Sequence, residues 1–317
     1  MRSAAAVVFD SFETTPEYGS LRDAITALSW PSLERELVRL PPDQASVAIT
    51  QLAEIKGVEA YLTRVVAEHP DSHVAKTALA ARFVSLAWAA RSRRQAEHVS
   101  KREFDGFFDW LDKAEELLEA VLIEAPHYAP AWSMSLYTVR GLQLGHDELW
   151  RRSNAHSALS PYDYPAQIQQ LQFLLPKWFG TWDLAAGFVR AVAAAAPLGS
   201  STHALVPLLH IEKWAELNNA RAGKAHMRRP KVLEEIRAAA GALLSAPAPL
   251  DPVSAQAHNA FVAAFWLSGQ LADAAPHVRF LDGRVTEFPW RYVVNAQRVI
   301  PDIHRKALAK KQTWFRR

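Results

Sequence analysis

Short segments that interrupt helical patterns recur along this chain, and each of them carries a proline. The prolines are separated by 56, 35, 36, 55 and 37 residues, and they are Pro70, Pro126, Pro161, Pro197, Pro252 and Pro289. Three of these intervals are close to about 34 residues, the period of a repeated helix–turn–helix unit, and the other two equal one period plus roughly 20 residues. The spacing therefore predicts an array of helical hairpins.

A small residue follows most of these prolines at a fixed distance. Alanine stands five residues after four of the six, and after Pro197 it is displaced by two; these alanines are Ala75, Ala131, Ala166, Ala257 and Ala204. A small side chain shortens the distance at which two helices pack. We therefore expect these alanines to be buried where one hairpin meets the hairpin before it.

Composition supports helix throughout. Half of the 317 residues are hydrophobic, alanine is abundant, and alternating β-branched runs are almost absent. The absence of cysteine excludes disulfides, thiol catalysis and cysteine-ligated metals. The apolar run from Ala4 to Phe9 is too short for a signal peptide, and no run approaches the roughly 18 apolar residues that span a membrane. We therefore expect a cytoplasmic protein without a membrane span.

The charge balance disfavours a nucleic-acid partner. The chain carries 36 basic and 33 acidic residues, a formal charge of +3, although its isoelectric point is about 9.1. A nucleic-acid-binding protein would need its positive charge gathered on one face. The basic residues of the C-terminal tail could contact anionic lipid or phosphate, but we favour a polar cap on the last repeat.

Three segments are expected along the chain. Residues 1–70 read as a diverged helical lead-in, 71–300 as the helical repeats and 301–317 as a basic tail. In the lead-in, Asp43 follows two prolines and is expected to cap a helix. The conformations of residues 95–110 and 220–245 stay open between a flap and extra helices. The second of these contains an exposed basic loop: Arg221, Lys224, Arg228, Arg229 and Lys231.

Two joints define the central part of the chain. In the joint at residues 177–181, Gly180 is expected to end a helix in the left-handed conformation, and Thr181 to cap the next. In the joint at residues 197–201, Ser200 or Ser201 is expected to cap a helix that runs through Trp214. These joints separate three predicted helices.

The chain resembles the tetratricopeptide repeat at two places. The residues that carry the resemblance are Pro126, Ala131 and Trp132, and then Gly269, Ala274, Val278, Leu281 and Pro289. The Gly-Tyr pair of that family's first helix is missing, and Leu281 stands where the family prefers alanine. The resemblance implies an all-α, TPR-like helical-repeat solenoid, an α-α superhelix of about five to six helix pairs.

A more specific resemblance is to a family of uncharacterised bacterial tetratricopeptide-like proteins. Its Lys-Trp-x-Gly-Ser joint, Ala-Pro-x-Gly-Ser joint and His-x-Glu-x-Trp helix match residues 177–181, 196–200 and 210–214, with Thr181 in place of serine. The close match covers about residues 126–217, and the looser repeat covers about 70–300. The resemblance implies an α-solenoid and brings no activity with it.

A candidate binding region lies in this central block. It comprises Lys177, Trp178, Trp182, His210, Trp214 and Arg221. These side chains could line a concave peptide groove or a small-ligand pocket. Alternatively, the tryptophans are core residues wedged between stacked helices, where large aromatic rings bury most surface. The second interpretation is favoured.

The sequence contains no recognisable catalytic or metal-binding arrangement. His203 and His210 share a helix face with Glu212 nearby, but a metal needs a further converging ligand, and HExxH is missing. Phosphate-binding loops, nucleophile elbows and dinucleotide fingerprints are missing too. An acidic stripe (Asp105, Asp109, Asp112, Glu116 and Glu119) lies opposite an apolar face, which favours a solvated surface over a metal site or a docking face. We expect no cofactor and no metal.

These observations favour a non-catalytic scaffold that binds a peptide or a partner domain on a concave face. The alternative is a small-ligand-binding protein or cryptic enzyme that uses Lys177, Trp178, Trp182 and His210. A nucleic-acid-associated array is a third hypothesis. The partner's identity and the oligomeric state stay open.

Overall fold

The computed structural model describes residues 18–90, 101–246 and 248–309. This part of the chain is all-α: it contains seventeen α-helices and one short 3₁₀ helix, and no strand occurs within it. The predicted fold class is confirmed at this level. No helix among the described residues combines the length and the apolar character needed to cross a membrane.

The helices form two compact units, with the boundary between Thr181 and Trp182. The N-terminal unit begins at Tyr18, and the described part of the C-terminal unit ends at residue 309. The helices of the N-terminal unit are α1 (Gly19–Thr26), α2 (Trp30–Arg39), α3 (Pro42–Glu54), α4 (Val58–Glu68), α5 (His73–Ala90), α6 (Lys101–Glu124), α7 (Ala129–Gly141), α8 (His146–Leu159) and α9 (Tyr164–Leu174). Those of the C-terminal unit are α10 (Trp182–Ala195), the 3₁₀ helix (Ser201–Ala204), α11 (Leu205–Glu216), α12 (Ala220–Met227), α13 (Pro230–Leu244), α14 (Pro252–Ser268), α15 (Leu271–Leu281), α16 (Glu287–Trp290) and α17 (Ala296–Ala309).

Stacked helical hairpins build the N-terminal unit. Helix α5 packs on α6 and α7 on α8, and the alternate helices α3, α5, α7 and α9 contact one another in succession. Helix α3 also contacts α7 and α9 directly. In an ideal linear array each repeat contacts only its neighbours. The hairpins of this unit therefore gather around α3.

The alanines at the fixed distance from the prolines are buried, as predicted. Ala75, Ala131, Ala204 and Ala257 have no exposed surface, and Ala166 is 1% exposed. At the break before α7, the Trp132 indole donates a hydrogen bond to the Pro126 carbonyl at 2.8 Å. The sequence pattern thus marks buried positions on the helices.

An ion-pair network joins the second halves of two hairpins in the N-terminal unit. The Arg152 side chain of α8 is almost fully buried, and it pairs with Glu115 of α6 and Glu148 of its own helix. Hydrogen bonds from Arg151 and Arg152 lower the pKa of Glu148 to about 2. The described side chains of the predicted acidic stripe are exposed, which confirms a solvated face; they are Asp109, Asp112, Glu116 and Glu119. The side chain of Asp105 lies outside the described residues.

Helix α14 is the centre of the C-terminal unit. It contacts α11, α12, α13, α15 and α16, and nearly all of its side chains are buried. Asp251 caps its start in a reciprocal capping box with Ser254. Gly269 ends it in the left-handed conformation, with a φ of 79°. Residues adjacent to the helix thus determine both of its ends.

Replacing Asp251 with alanine is expected to destabilise the C-terminal unit by about 1 kcal/mol, because the N–H of Ser254 loses its acceptor at the start of the central helix. Chemical denaturation followed by circular dichroism would measure the change. Asp251→Asn is the control, since asparagine caps about equally well. Equal stability of the alanine variant and the wild type would contradict the role of this cap.

Several local expectations differ from the structure. Helix α9 ends at Leu174, well before Gly180, and Gly180 is not among the residues with positive φ. A Cβ at Gly180 would lie 1.9 Å from the Leu174 carbonyl oxygen. Close backbone approach, rather than a left-handed helix end, therefore requires this glycine. Asp43 lies in the first turn of α3, because that helix already begins at Pro42.

The two segments whose conformation the sequence did not decide, residues 95–110 and 220–245, contain helices in the parts that the structure describes. Residues 220–245 contain α12 and the whole of α13. Of the expected basic loop, only Arg228 and Arg229 lie in a turn between the two helices, and the other three residues are helical. Ser200 caps the 3₁₀ helix that leads into α11, by accepting from the N–H of Thr202. Residues 95–100 and 310–317, which include much of the basic tail, lie outside the described residues.

Candidate functional site

The six candidate residues are divided between the two units. Lys177 and Trp178 belong to the N-terminal unit. Trp182, His210, Trp214 and Arg221 belong to the C-terminal unit. The six therefore do not form one site within a single unit.

Trp178 packs in an aromatic cluster of the N-terminal unit. Its ring centroid lies 5.6 Å from that of Trp88, and the two rings meet edge to face. The Arg140 guanidinium lies 4.8 Å from the Trp88 centroid and 5.2 Å from that of Trp178, in a cation–π arrangement. Lys177 is exposed beside this cluster. Trp178 thus stabilises the packing at the end of the unit.

Trp182 and Trp214 hold helices together in the C-terminal unit. The Trp182 indole of α10 donates to Glu216 at 3.1 Å, and the Lys213 ammonium lies 4.3 Å from its ring centroid. A Cβ at Gly223 would lie 2.6 Å from Cδ1 of Trp214, so α12 approaches α11 closely at this glycine. These two tryptophans therefore serve helix packing too.

His210 belongs to a polar cluster that joins four consecutive helices. We call it the polar clasp, and it consists of Arg190 of α10, His210 of α11, His226 of α12 and Glu235 of α13. The His210 Nε2 atom lies 3.1 Å from Glu235 Oε2, and Nδ1 lies 3.3 Å from His226 Nε2. Arg190 donates to the other Glu235 oxygen at 3.1 Å.

Glu235 sets the proton positions in the polar clasp. A carboxylate can only accept, so the proton of neutral His210 lies on Nε2, and its Nδ1 accepts from His226 Nε2–H. Burial lowers the pKa of His210. Burial first, and then the positive charges of His210, Arg229 and Lys213, lower the pKa of His226 to about 4. Both imidazoles are therefore neutral at pH 7.

His203 and Glu212, which the sequence placed near His210 in a possible metal-binding pattern, form hydrogen bonds with different partners. His203 Nε2 lies 3.0 Å from the Pro197 carbonyl oxygen, whereas Glu212 accepts a hydrogen bond from Tyr292 at 2.6 Å. Within residues 18–90, 101–246 and 248–309, no group of three or more His, Asp and Glu side chains is placed to hold a metal ion.

Arg221 is one of five exposed cations on α12, the turn that follows it and the start of α13. We call this surface the basic face, and it consists of Arg221, Lys224, Arg228, Arg229 and Lys231. Asn219 caps α12 by accepting from the N–H groups of Arg221 and Ala222. The stretch from Asn219 to Leu233 contains no aspartate or glutamate. Positive charge is thus concentrated here in a chain that is nearly neutral overall.

An open groove of about 660 Å³ adjoins the basic face. Its lining residues lie mainly on one side of α13, and they are Arg228, Pro230, Leu233, Glu234, Arg237, Ala238 and Gly241. The turn between α14 and α15, together with the helix ends that flank it (residues 268–273), anchors both arginines. Arg228 Nε donates to the Ser268 carbonyl at 3.3 Å, and Arg237 Nε donates to Asp273 at 2.8 Å.

Of the predicted candidates, none lines this groove, and only Arg221 belongs to the adjacent basic face. The spacing of residues 230, 233, 234, 237, 238 and 241 is that of one helix face, so sequence could have indicated the face. The turn that anchors the arginines lies some 30 to 40 residues further along the chain and carries no signal of the contact.

Comparison of the chain with models of protein families and with curated proteins finds no match.

Proposed function

We propose that this chain is a TPR-like helical-repeat protein that binds a partner protein, and that the basic face docks an acidic segment of that partner. The observation that carries the proposal is the basic face itself. Five exposed cations follow one another within residues 219–233 without an intervening carboxylate, in a chain with a formal charge of only +3.

The surroundings of the basic face support this function. The polar clasp joins α12 to α10, α11 and α13 by hydrogen bonds, so the two helices that carry or flank the cations are tied to each other and to their neighbours. A preorganised binding surface loses less entropy when a partner binds. Clustered positive charge also accelerates the encounter with an acidic partner and discriminates against basic ones.

The shape beside the basic face favours a protein segment over a small molecule. Small-ligand sites are concave and bury most of the ligand. The groove along α13 is open and carries both apolar and charged residues. The alternative of a small-ligand site at the central tryptophans has less support, because the rings of Trp178 and Trp182 and the indole of Trp214 contact neighbouring helices.

Selection from a displayed library of random peptides on the full chain would test the proposal. We expect the enriched sequences to contain clustered Asp and Glu residues. Reversing three charges of the basic face, in the Arg221→Glu, Lys224→Glu and Lys231→Glu variant, is expected to abolish that enrichment.

A matched control reverses three exposed charges of the N-terminal unit, Arg22, Lys56 and Arg64. This control should enrich the same acidic peptides as the wild type. The proposal would be wrong if no acidic peptides were enriched, or if both triple variants retained them equally. Binding of a homopolymeric single-stranded DNA with no acidic peptide enrichment would instead indicate a phosphate-binding surface.

A further inference from the structure

The groove along α13 is long enough to accommodate a short helix. From Pro230 to Gly241 the lining residues extend over about three helical turns, or roughly 16 Å at 1.5 Å per residue. They form a continuous ridge at spacings of three and four residues, the pattern into which a second helix packs. Pro230, Leu233 and Ala238 supply apolar surface along it, and Leu233 is half-buried.

The two arginines of the groove are held in place by the turn that faces α13. Arg237 uses Nε to bind Asp273 and Nη2 to bind Gln270 at 3.3 Å. Arg228 uses Nε for the Ser268 carbonyl, and its Nη2 lies 3.0 Å from where a Cβ of Gly269 would be. A guanidinium has five N–H donors, so each arginine retains donors beyond these bonds.

We propose that the groove binds an amphipathic acidic helix of the partner protein, with its carboxylates on Arg228 and Arg237 and its apolar side chains on Leu233 and Ala238. This inference rests on the proposed function and specifies the conformation and the anchor residues of the bound segment. An amphipathic helix in a groove is a recurrent mode of peptide recognition.

The charges at the Arg228 end of the groove favour this occupant. Asp273 pairs with Arg237 and offsets its charge, although Arg237 keeps N–H donors for a carboxylate, and Glu234 is the one carboxylate among the lining residues. Glu234 is exposed at the rim. The basic face continues the positive surface beyond Arg228. An acidic segment therefore meets attractive charge where the groove adjoins the basic face.

Gly241 provides a test that does not endanger folding. A Cβ at this position would meet no atom within 4 Å, and the residue is helical without a positive φ. Gly241→Phe places a large ring in the groove, and Ala238→Glu adds a negative charge to its floor. Gly187→Phe is the matched control, because Gly187 is an exposed glycine inside α10 that is equally open.

The probe is the best acidic peptide from the selection, labelled with fluorescein and titrated by anisotropy. We expect Gly241→Phe and Ala238→Glu to weaken its binding at least tenfold, and Gly187→Phe to leave it unchanged. A proline introduced at the centre of the peptide should cause a similar loss, since it breaks a helix. Inorganic phosphate at millimolar concentration should not compete.

The proposal is overturned if the peptide binds both groove variants as tightly as the wild type, or if the proline-containing peptide binds as well as its parent. Loss of binding in the basic-face triple variant alone would retain the proposed function and reject the helix in the groove. Displacement by inorganic phosphate would identify a general anion site and also reject it.

Discussion

Lowering the pH from 7 to 4 is expected to unfold the C-terminal unit. Six histidines of this unit have a pKa below the ordinary value, and burial is the principal cause for each; they are His203, His210, His226, His258, His277 and His304. The pKa of His226 falls to about 4 and that of His258 to about 3. His258 and His277 also contact each other, with their Nδ1 atoms 3.0 Å apart inside the unit.

The direction of the effect follows from linkage. Above pH 6.5 these imidazoles are neutral in both the folded and the unfolded chain. Below it the unfolded chain binds protons that the folded chain excludes, so stability falls until the pH reaches the folded-state pKa. One pKa unit corresponds to about 1.4 kcal/mol, so His226 alone contributes a loss of up to about 3 kcal/mol. The loss at His258, whose folded-state pKa is lower still, adds to this, and a typical domain has only about 5–15 kcal/mol of stability.

Hydrogen exchange measured at pH 7, 6, 5 and 4 would locate the loss. The amides of α11 and α14 are expected to lose protection before those of α9. Glutamine at His226 can still donate to His210 Nδ1 but does not titrate, so His226→Gln should show a shallower pH dependence than the wild type. Constant protection of α14 down to pH 4 would contradict the account.

Gly180→Ala is expected to destabilise the N-terminal unit by about 3 kcal/mol or more. The new Cβ would lie 1.9 Å from the carbonyl oxygen of Leu174 and 2.3 Å from its carbonyl carbon. Both are backbone atoms, so no side-chain rotation can relieve the clash. Either the end of α9 or the 177–181 joint has to move.

Thermal denaturation of this variant should be compared with that of Gly187→Ala. Gly187 lies inside α10, and a methyl group added there would meet no atom within 4 Å, so its replacement should be neutral or stabilise the helix by about 1 kcal/mol. If both variants melted at the wild-type temperature, the close approach at Gly180 would be incorrect.

Features that depend on residues close together in the sequence could be predicted from it. The proline spacing and the offset alanines identified buried positions, since Ala75, Ala131 and Ala257 are fully buried. The ends of α14 at Asp251 and Gly269 are local features of the same kind, because capping depends on adjacent residues. The acidic stripe of α6 was correctly expected to be solvated, because its period matches the helix.

The remaining features depend on tertiary contacts. The polar clasp brings His210 to Glu235, 25 residues away, and no local spacing encodes that contact. Gly180 has the sequence context of a helix end, yet its requirement comes from the path of the chain past Leu174. The tryptophans of the candidate region could be either core or surface until their neighbours were known. Trp182 shows why, since it pairs with Glu216, 34 residues further along the chain.

The most direct test of the central claim is the affinity of one selected acidic peptide for the wild type and for the basic-face triple variant at two salt concentrations. Screening lengths are about 30 Å at 0.01 M and about 8 Å at 0.15 M salt. If the basic face docks an acidic segment, the triple variant should bind at least tenfold more weakly at low salt, and salt should weaken the wild type more than the variant. Equal affinities with the same salt dependence would contradict the proposed function.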